Sequence, residues 1–340
     1  MLPATPPAAP RLFFEDFRPG ERMTYAPVTL TEEAIVAFAR DWDPQPFHVD
    51  PVAARDSFAG TLIASGWHSC ALLMRALSDA FILEAASMGA PGVEEVRWLA
   101  PVPPGAILTG GHEVLETRAS RSRPGMGLVR FRFALHDPGG RPVVEQTNWI
   151  LFARRGAEPV PPAVRPTGEG APPPPVTPAE PLPFFEDLAV GGAPEVLGAR
   201  SFTADEIVRF ARAFDPQAFH VDANAARASH FGDLCASGWH TGAAWMRAMV
   251  DHRERARLAA LDAGLRPARL GASPGFVNLV WSRPVHAGDT ITYTTRVVDK
   301  RETRSRPDWG LVFTRNEGVN QHGETVFGFD GRVFWERRGT

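Results

Sequence analysis

One stretch of this sequence occurs twice. Residues 31–68 read TEEAIVAFARDWDPQPFHVDPVAARDSFAGTLIASGWH, and residues 203–240 read TADEIVRFARAFDPQAFHVDANAARASHFGDLCASGWH. The two stretches align without a gap at an offset of 172, and 24 of the 38 positions are identical. Such identity indicates a duplicated structural unit, so the repeat decides the fold before any single motif is considered.

The repeat extends beyond these stretches on both sides. Residues 13–16, which read FFED, return at 184–187, and residues 121–124, which read RSRP, return at 304–307. The second pair lies at an offset of 183, so the second copy has 11 extra residues, which fall between about 250 and 275. Two copies of this size predict two domains, or two halves of one pseudo-symmetric domain.

A proline-rich segment separates the two copies. Residues 157–183 contain 11 of the 33 prolines, a composition that predicts an extended, polyproline-like linker. We therefore expect an N-terminal module over 11–156, the linker over 157–183 and a C-terminal module over 184–338. A linker of this length allows the modules to pack as two subunits of a homodimer would.

Composition and charge exclude several classes of protein. The 340 residues are 44% hydrophobic and 22% charged, with a net charge of −3, which is typical of a globular protein and predicts no nucleic-acid or anionic-membrane partner. The two cysteines, Cys70 and Cys235, lack C-x-x-C spacing, which favours a reducing compartment. No secretory leader, apolar span or peroxisomal C-terminus is recognisable, so we expect a cytoplasmic protein.

The coarse pattern of each copy is helices first and strands afterwards. Thr31 and Thr203 begin the first helix, and Ser65-Gly66 and Ser237-Gly238 begin a second, more apolar one. Strands rich in valine, threonine and aromatic residues are predicted over 106–116, 127–136 and 143–153, and over 289–298, 309–315 and 324–335. This order predicts an α+β layout in which a sheet wraps a helix.

The motif with the clearest chemistry follows the first helix of each copy. Asp43 and His48 stand in DPQPFHVD, and Asp215 and His220 stand in DPQAFHVD. Proline prevents the helix from continuing and holds both side chains on a stiff turn. A carboxylate that orients water beside an imidazole is a sufficient acid–base pair near neutral pH. The alternative interpretation is a turn-capping aspartate and a histidine in a polar niche.

A second signal is the segment Ala-Ser-Gly-Trp-His at the start of each apolar helix. Free backbone N–H groups there could stabilise a developing oxyanion, and glycine permits close approach. The alternative is a serine N-cap with a packing glycine. The oxyanion candidates are Ser65, Gly66, Ser237 and Gly238, whereas the following His68 and His240 are expected to be structural or to line a pocket.

Other motifs carry weaker signals. Residues 271–275 match G-x-S-x-G, but Pro274 lacks the N–H that a hydrolase would need after its serine. The ten histidines show no metal-ligand spacing, so we predict no metal site, and no dinucleotide or phosphate-loop motif occurs. The two RSRP segments offer guanidinium groups to the phosphates of CoA or of a carrier, although a solvated turn is the favoured interpretation.

Together, the D-x-Q-x-F-H and A-S-G-W-H segments resemble the MaoC-like hydratases, also called hydratase 2 or (R)-specific enoyl-CoA hydratases, once in each half. The family motif runs Asp, any residue, Asn, Pro, a hydrophobic residue and His. Gln45 and Gln217 replace its asparagine, and Ala218 replaces the proline that the first copy retains as Pro46. These departures leave the acid–base pairs intact and bear on the shape of the loop and the choice of substrate.

The resemblance implies an α+β double hotdog fold, with two tandem modules that each wrap an antiparallel sheet around a long central helix. Pairing the two sheets edge to edge would cover strands that are otherwise exposed. The implied reaction, part of fatty acid metabolism, is reversible addition of water to a trans-2-enoyl thioester, giving a 3-hydroxyacyl thioester. The resemblance implies no cofactor, and the CoA thioester is the substrate. Aspartate would hold the water, histidine would move a proton, and N–H groups near Gly66 or Gly238 would stabilise the thioester oxygen.

Several alternatives stay open at this point. Both halves retain the acid–base pair, so we expect two competent sites, with the second slightly favoured. A hotdog thioesterase or a non-catalytic acyl-CoA or acyl-carrier binding protein would use the same fold, because fold does not establish function. The acyl group is also open among straight, short branched and dicarboxylic chains. The fused chain forms a pseudo-dimer by itself, and a homodimer of chains is the alternative.

Overall fold

The computed structural model describes residues 10–163, 165 and 170–339. The N-terminal module contains β1 (Arg22–Thr29), α1 (Glu32–Trp42), α2 (Pro46–Val49), α3 (Gly66–Ala80), β2 (Gly92–Trp98), β3 (Ile107–Ala119), β4 (Met126–His136) and β5 (Pro142–Ala153). The C-terminal module contains β6 (Glu195–Ser201), α4 (Ala204–Phe214), α5 (Ala218–Val221), α6 (Ala223–Ala228), α7 (Gly238–Asp262), β7 (Gly275–Trp281), β8 (Thr290–Glu302), β9 (Trp309–Asn320) and β10 (Thr325–Glu336). Short 3₁₀ turns occur at Phe14–Asp16, Ala53–Asp56, Ile82–Glu84 and Phe185–Asp187.

The ten strands form one antiparallel sheet in the order β1-β3-β4-β5-β2-β7-β10-β9-β8-β6. The order of the first five strands is mirrored in the last five, as a duplicated module requires. The central helices α3 and α7 contact each other, and α3 also contacts β1, β3 and β4. Their apolar sides, including Trp67, Leu73 and Trp239, belong to one core cluster that contains residues of both modules. This is the α+β double hotdog architecture that the resemblance implied.

The two modules join through β2 and β7, the strands at which the half-sheets meet. Val93 pairs with Leu279 and Val96 with Phe276 in antiparallel register. Two glycines make this junction close: a Cβ on Gly92 would lie 2.0 Å from the carbonyl oxygen of Leu279, and one on Gly275 would lie 2.0 Å from that of Val96. Edge-to-edge pairing, expected from the fold family, is therefore confirmed.

The 11 extra residues of the second copy lengthen its central helix. Helix α3 has 15 residues, whereas α7 has 25 and continues to Asp262. The extension packs beside β6, where the Arg255 guanidinium donates to the carbonyl of Leu197 at 2.9 Å. The insertion therefore extends the helix along β6, with Ala256 and Ala260 buried and Leu258 and Leu261 exposed.

The expectation that helices precede strands is wrong for both modules, since β1 and β6 come first. Both are edge strands of the sheet and present few apolar side chains to the core. Along β1 only Tyr25 is fully buried, and Pro27 interrupts the usual strand composition. An edge strand with one covered position lacks the alternating pattern by which strands are predicted.

The linker contains no helix or strand over residues 157–163 and 171–183. Its first part lies on the C-terminal module, where the Ala163 N–H donates to the carbonyl of His230 at 2.9 Å and Arg165 pairs with Asp233 and Asp289. Residues 164 and 166–169 of the predicted linker lie outside the described residues. The module boundaries given above stay predictions.

Candidate active site

The first acid–base pair lies at the end of α1. Asp43 caps this helix at its C-terminus, and Pro46 begins the single helical turn α2, which carries His48. His48 Nε2 lies 3.4 Å from Asp43 Oδ2, and both side chains are buried. His48 Nδ1 lies 2.7 Å from the carbonyl oxygen of Ile63. A carbonyl only accepts hydrogen bonds, so this contact selects the tautomer in which Nδ1 carries the proton and Nε2 is unprotonated.

Two further side chains fix the Asp43 carboxylate. The Gln45 amide donates to Oδ1 at 2.9 Å, and the Ser65 hydroxyl donates to Oδ2 at 2.7 Å. Ser65 also accepts from the N–H of Trp67 at 3.2 Å and is therefore the N-cap of α3. One serine thus ties the start of the central helix to the carboxylate, and this contact fixes the distance between the two sequence motifs.

The second pair repeats this arrangement. His220 Nε2 lies 3.5 Å from Asp215 Oδ2, and His220 Nδ1 donates to the carbonyl of Cys235 at 2.7 Å. Gln217 donates to Oδ1 at 2.9 Å and Ser237 to Oδ2 at 2.7 Å. Both halves retain the same buried network, although the activity of each half stays a prediction.

The two loops have the same shape as each other, although they differ at one proline position. Gln45 and Gln217 each place an amide donor on the aspartate carboxylate of their own loop. Ala218 occupies the position of Pro46 at the start of the turn, and α5 has the same four-residue length as α2. The turn therefore forms with either proline or alanine at this second position, while Pro44 and Pro216 follow the aspartate in both loops.

The glycines of the two A-S-G-W-H segments lie under tryptophan rings. A Cβ on Gly66 would lie 2.4 Å from the ring of Trp98, and one on Gly238 would lie 2.2 Å from that of Trp281. The packing-glycine interpretation is therefore supported. The first N–H groups of a helix have no acceptor inside it, and Gly66 and Gly238 border the two cavities described next. The oxyanion role of Ser65, Gly66, Ser237 and Gly238 stays a prediction.

Each acid–base pair opens into a cavity that crosses the module boundary. Asp43 and His48 border a cavity of ≈ 540 Å³ whose other wall comes from the C-terminal module. Asp215 and His220 border one of ≈ 570 Å³ whose other wall comes from the N-terminal module. The opposite walls are Trp245, Met249, Phe276 and Phe329 in the first case, and Met74, Leu77, Phe133 and Ile150 in the second. Neither site is complete within one module.

Comparison with known families shows which family this chain belongs to. The family model of the MaoC-like dehydratase domain matches the chain twice, over residues 16–128 and 187–310. The chain belongs to the MaoC-like dehydratase family. Comparison with the curated proteins found no match.

Solved structures similar to this chain have the same fold. A Chloroflexus aurantiacus protein described as a MaoC domain protein dehydratase has a TM-score of 0.74 and 18% identity, with 98% of this chain and 100% of that chain covered. A conserved hypothetical protein of Mycobacterium tuberculosis with a double hotdog fold has a TM-score of 0.66 and 18% identity, covering 95% and 98%. A MaoC-like dehydratase of Rhodospirillum rubrum is 38% identical, covering 42% of this chain and 98% of that chain, with a TM-score of 0.40.

His68 and His240 of this MaoC-like protein, predicted to be structural or to line a pocket, pack against aromatic rings. His68 stacks on Phe38 at 4.4 Å between ring centroids, and His240 stacks on Phe210 at 4.6 Å. Burial, reinforced by the nearby His48, lowers the pKa of His68 to about 3. Burial also lowers the pKa of His240 well below its usual value. Both rings are held neutral near pH 7, and neither His68 nor His240 borders one of the two cavities.

The remaining motifs contribute little chemistry. Ser273 of the G-x-S-x-G match borders the Asp43 cavity, but its hydroxyl contacts only the backbone of Gly275. Burial raises the pKa of the Cys70 and Cys235 thiols, which therefore stay protonated. Within the described ranges, no three His, Cys, Asp or Glu side chains form a group that could hold a metal ion. No helix there is long and apolar enough to cross a membrane.

Polar residues in the cross-module walls were missed by sequence reasoning. Gln146 and Asn148 on β5 are buried and face the Asp215 cavity, with the Gln146 amide donating to Asn148 Oδ1 at 2.9 Å. Arg253 on α7 borders the Asp43 cavity. For Gln146 and Asn148, the available sequence signal was the alternation of polar residues within a buried strand. Nothing in the sequence near Arg253 relates it to Asp43.

Proposed function

We propose that this protein is a hydro-lyase that reversibly adds water to a trans-2-enoyl thioester, giving a 3-hydroxyacyl thioester, at both acid–base pairs. The observation that carries the proposal is the buried Asp–His pair at the wall of a mostly apolar cavity, present in each half with the same hydrogen bonds. Membership of the MaoC-like dehydratase family supports the same class of reaction.

The positions of the protons in the site support a stepwise reaction. A water molecule donates one hydrogen bond to Asp43 Oδ2 and the other to His48 Nε2, which is free because Nδ1 donates to Ile63. As Nε2 takes the proton, the water oxygen forms a bond to the β-carbon, and the electron pair of the double bond moves into the thioester as an enolate. The backbone N–H of Gly66 stabilises the enolate oxygen. Nε2 then returns the proton to the α-carbon, so one water is added and the histidine is regenerated.

The same steps assign Asp215, His220 and Gly238 in the second half. Each acid–base residue would contribute about 10²- to 10⁴-fold in rate, and one oxyanion donor about 10²- to 10³-fold. The route uses these side chains and the thioester, and we propose no separate cofactor.

Arginines near the cavities favour a thioester that carries phosphate groups. Arg123 and Arg283 border the Asp215 cavity, and Arg306 borders the Asp43 cavity. Arg123 and Arg306 belong to the two RSRP turns, and both are exposed. Each turn comes from the module opposite the acid–base pair that it approaches. Guanidinium groups bind phosphate oxygens well, so we propose that these turns contact CoA or the phosphopantetheine of a carrier protein.

The test is the loss of enoyl-thioester absorbance when the purified protein is mixed with trans-2-enoyl-CoAs of varied length, with chiral analysis of the product. We expect turnover that the double variant His48→Ala, His220→Ala abolishes. His136→Ala is the matched control, because His136 lies at the end of β4 outside both cavity walls. Each single variant then reports the activity of the half that keeps its histidine.

Three results would contradict the proposal. Release of free CoA without a 3-hydroxyacyl product would indicate a thioesterase. Tight binding of enoyl-CoA without turnover by the folded protein would indicate a binding protein. Full activity of the double variant would exclude the assigned histidines.

A further inference from the structure

The linker contributes to the wall of the Asp215 cavity. Val160, Pro161 and Ala163 border this cavity, and Pro161 and Ala163 are also exposed to solvent, so residues 160–163 lie at its outer rim. We call residues 160–163 the rim segment. Among the linker residues that the structure describes, none borders the Asp43 cavity. The two acid–base sites therefore differ at their entrances.

An ion-pair cluster holds the rim segment on the C-terminal module. Arg165 pairs with Asp233 at 3.0 Å and with Asp289 at 3.1 Å. Asp289 is 4% exposed, and its carboxylate also accepts from the N–H of His286 at 2.7 Å and from the Gln321 amide at 3.0 Å. Arg165 supplies a positive charge to this buried carboxylate, and breaking such a pair is costly because the remaining charge stays buried.

Two backbone contacts fix the rim segment over the loop that follows the second acid–base pair. The Ala163 N–H donates to the carbonyl of His230 at 2.9 Å. A Cβ on Gly232 would lie 2.7 Å from the carbonyl oxygen of Ala163 and 3.3 Å from the Cβ of Pro162. His230 and Phe231 border the same cavity, so the rim segment lies directly on the loop that forms its entrance.

The first copy lacks the residues of this ionic anchor. At the positions of the two aspartates it has Thr61 and Ala106, by the offsets of 172 and 183. Phe58 takes the position of His230, borders the Asp43 cavity and is 57% exposed. The anchor therefore belongs to the C-terminal module and to its site.

The position of the rim segment relates it to the arm of a thioester rather than to the acyl group. Val160 and Pro161 also border a surface depression beside Arg123, the exposed arginine that is a proposed contact of the thioester phosphates. The reacting carbons must lie at the other end of the thioester, beside Asp215 and His220. A pantetheine arm that joins these two points runs along the entrance where the rim segment lies.

We propose that the rim segment is part of the thioester-binding surface of the Asp215–His220 site, where it contacts the pantetheine arm, and that Arg165 is the positioning residue that holds it there. This inference rests on the proposed function and adds a binding element to one of its two sites. Arg165 itself lies outside the cavity wall, so it acts through the rim segment and not on the substrate.

The experiment measures each site separately with two thioesters. His48→Ala leaves the Asp215 site, and His220→Ala leaves the Asp43 site. Each variant receives the enoyl group that the unmodified protein hydrates fastest, as its CoA thioester and as its N-acetylcysteamine thioester, which lacks most of the arm and all phosphates. Adding Arg165→Met to His48→Ala should raise KM for the CoA thioester by about 5- to 30-fold at unchanged kcat, because binding must then order a segment that is no longer held. For the short thioester, kcat/KM should change by less than about twofold.

The other site provides one control, since Arg165→Met should leave the kinetics of the His220→Ala background unchanged. Arg257→Met is the matched variant, because it removes an exposed ion pair with Glu254, at 2.7 Å, from the same module. An unchanged KM for the CoA thioester at the Asp215 site would overturn the inference. Equal losses with both thioesters would also overturn it, because the effect would then not come from the pantetheine arm.

A second readout does not depend on turnover. Hydrogen exchange of the peptide 157–165, followed by mass spectrometry, should be faster in Arg165→Met, because the Ala163 N–H is then held less firmly on His230. In the variant that lacks both acid–base histidines, saturating trans-2-butenoyl-CoA should slow exchange of this peptide. If neither site turns over an enoyl thioester, the proposed function fails, while slower exchange would still support the binding surface. Unchanged exchange on adding the thioester would refute the inference. A thermal melt verifies that each variant is folded.

Discussion

Replacing His68 with leucine should make the protein more resistant to acid. The ring of His68 is 2% exposed and lies parallel to Phe38, with an interplanar angle of 4°. Burial keeps it neutral by lowering its pKa to about 3 from a usual 6.5. The unfolded chain, in contrast, binds a proton there as the pH falls through 6.5. The contribution of His68 to stability is therefore present above pH 6.5 and is lost progressively down to about pH 3.

The magnitude follows from the two pKa values. Each pH unit between them removes about 1.4 kcal/mol of unfolding free energy, so the loss from neutral pH to pH 4 is about 3 kcal/mol. Leucine has a similar volume and does not titrate. We expect its own packing change to be independent of pH, so that the difference between the two proteins narrows or reverses as the solution becomes acidic.

The assay is urea unfolding followed by tryptophan fluorescence at pH 7, 5 and 4, for the wild type and His68→Leu. The quantity of interest is the change with pH in the difference between their unfolding free energies. A difference that stays constant to within about 0.5 kcal/mol would refute the claim that the buried ring is held neutral, because that additivity error is smaller than the expected effect. His136→Leu, at the end of β4, serves as the control for a general effect of losing a histidine.

Two further perturbations test the network and the junction. Ser237→Ala removes both the 2.7 Å hydrogen bond to Asp215 and the N-cap of α7. Urea unfolding should therefore show that the free energy of unfolding falls by roughly 2–4 kcal/mol, and in a His48→Ala background the remaining turnover should fall. An unfolding free energy equal to that of the wild type would contradict the geometry. Gly92→Ala places a Cβ 2.0 Å from the Leu279 carbonyl oxygen, so it should disturb the β2–β7 pairing and lower turnover at both sites, measured in each single-histidine variant. Gly192→Ala, where a Cβ meets nothing within 4 Å, should do neither.

The repeat made much of the fold predictable. Each predicted strand from residue 106 onwards in the first copy, and from 289 in the second, corresponds to a strand of the structure, because these segments have the alternating burial that sequence patterns reveal. The predicted strand ranges did not include β1, β2, β6 or β7. The edge strands β1 and β6 are hard to predict, since an edge strand needs few apolar residues. The insertion was located by counting, but its helical form was not predicted.

The acid–base residues were also within reach of the sequence. Proline and the helix end bring Asp43 and His48 together over five residues, and a repeated local motif of this kind needs no tertiary information. Ser65 is different, because its contact with Asp43 spans 22 residues and depends on how α3 packs against α1. The sequence placed it correctly at the helix start, while the structure adds that its hydroxyl holds the carboxylate.

By itself, the sequence determined that the chain is a duplicated module of the MaoC-like family with an Asp–His pair in each copy, because these features depend on local spacing and on identity between the copies. Tertiary structure alone decided what each pair faces. Two glycines at the β2–β7 junction let the half-sheets join, and each cavity is then completed by residues from the opposite module. Contacts between residues about 200 positions apart leave no periodic trace in a single sequence.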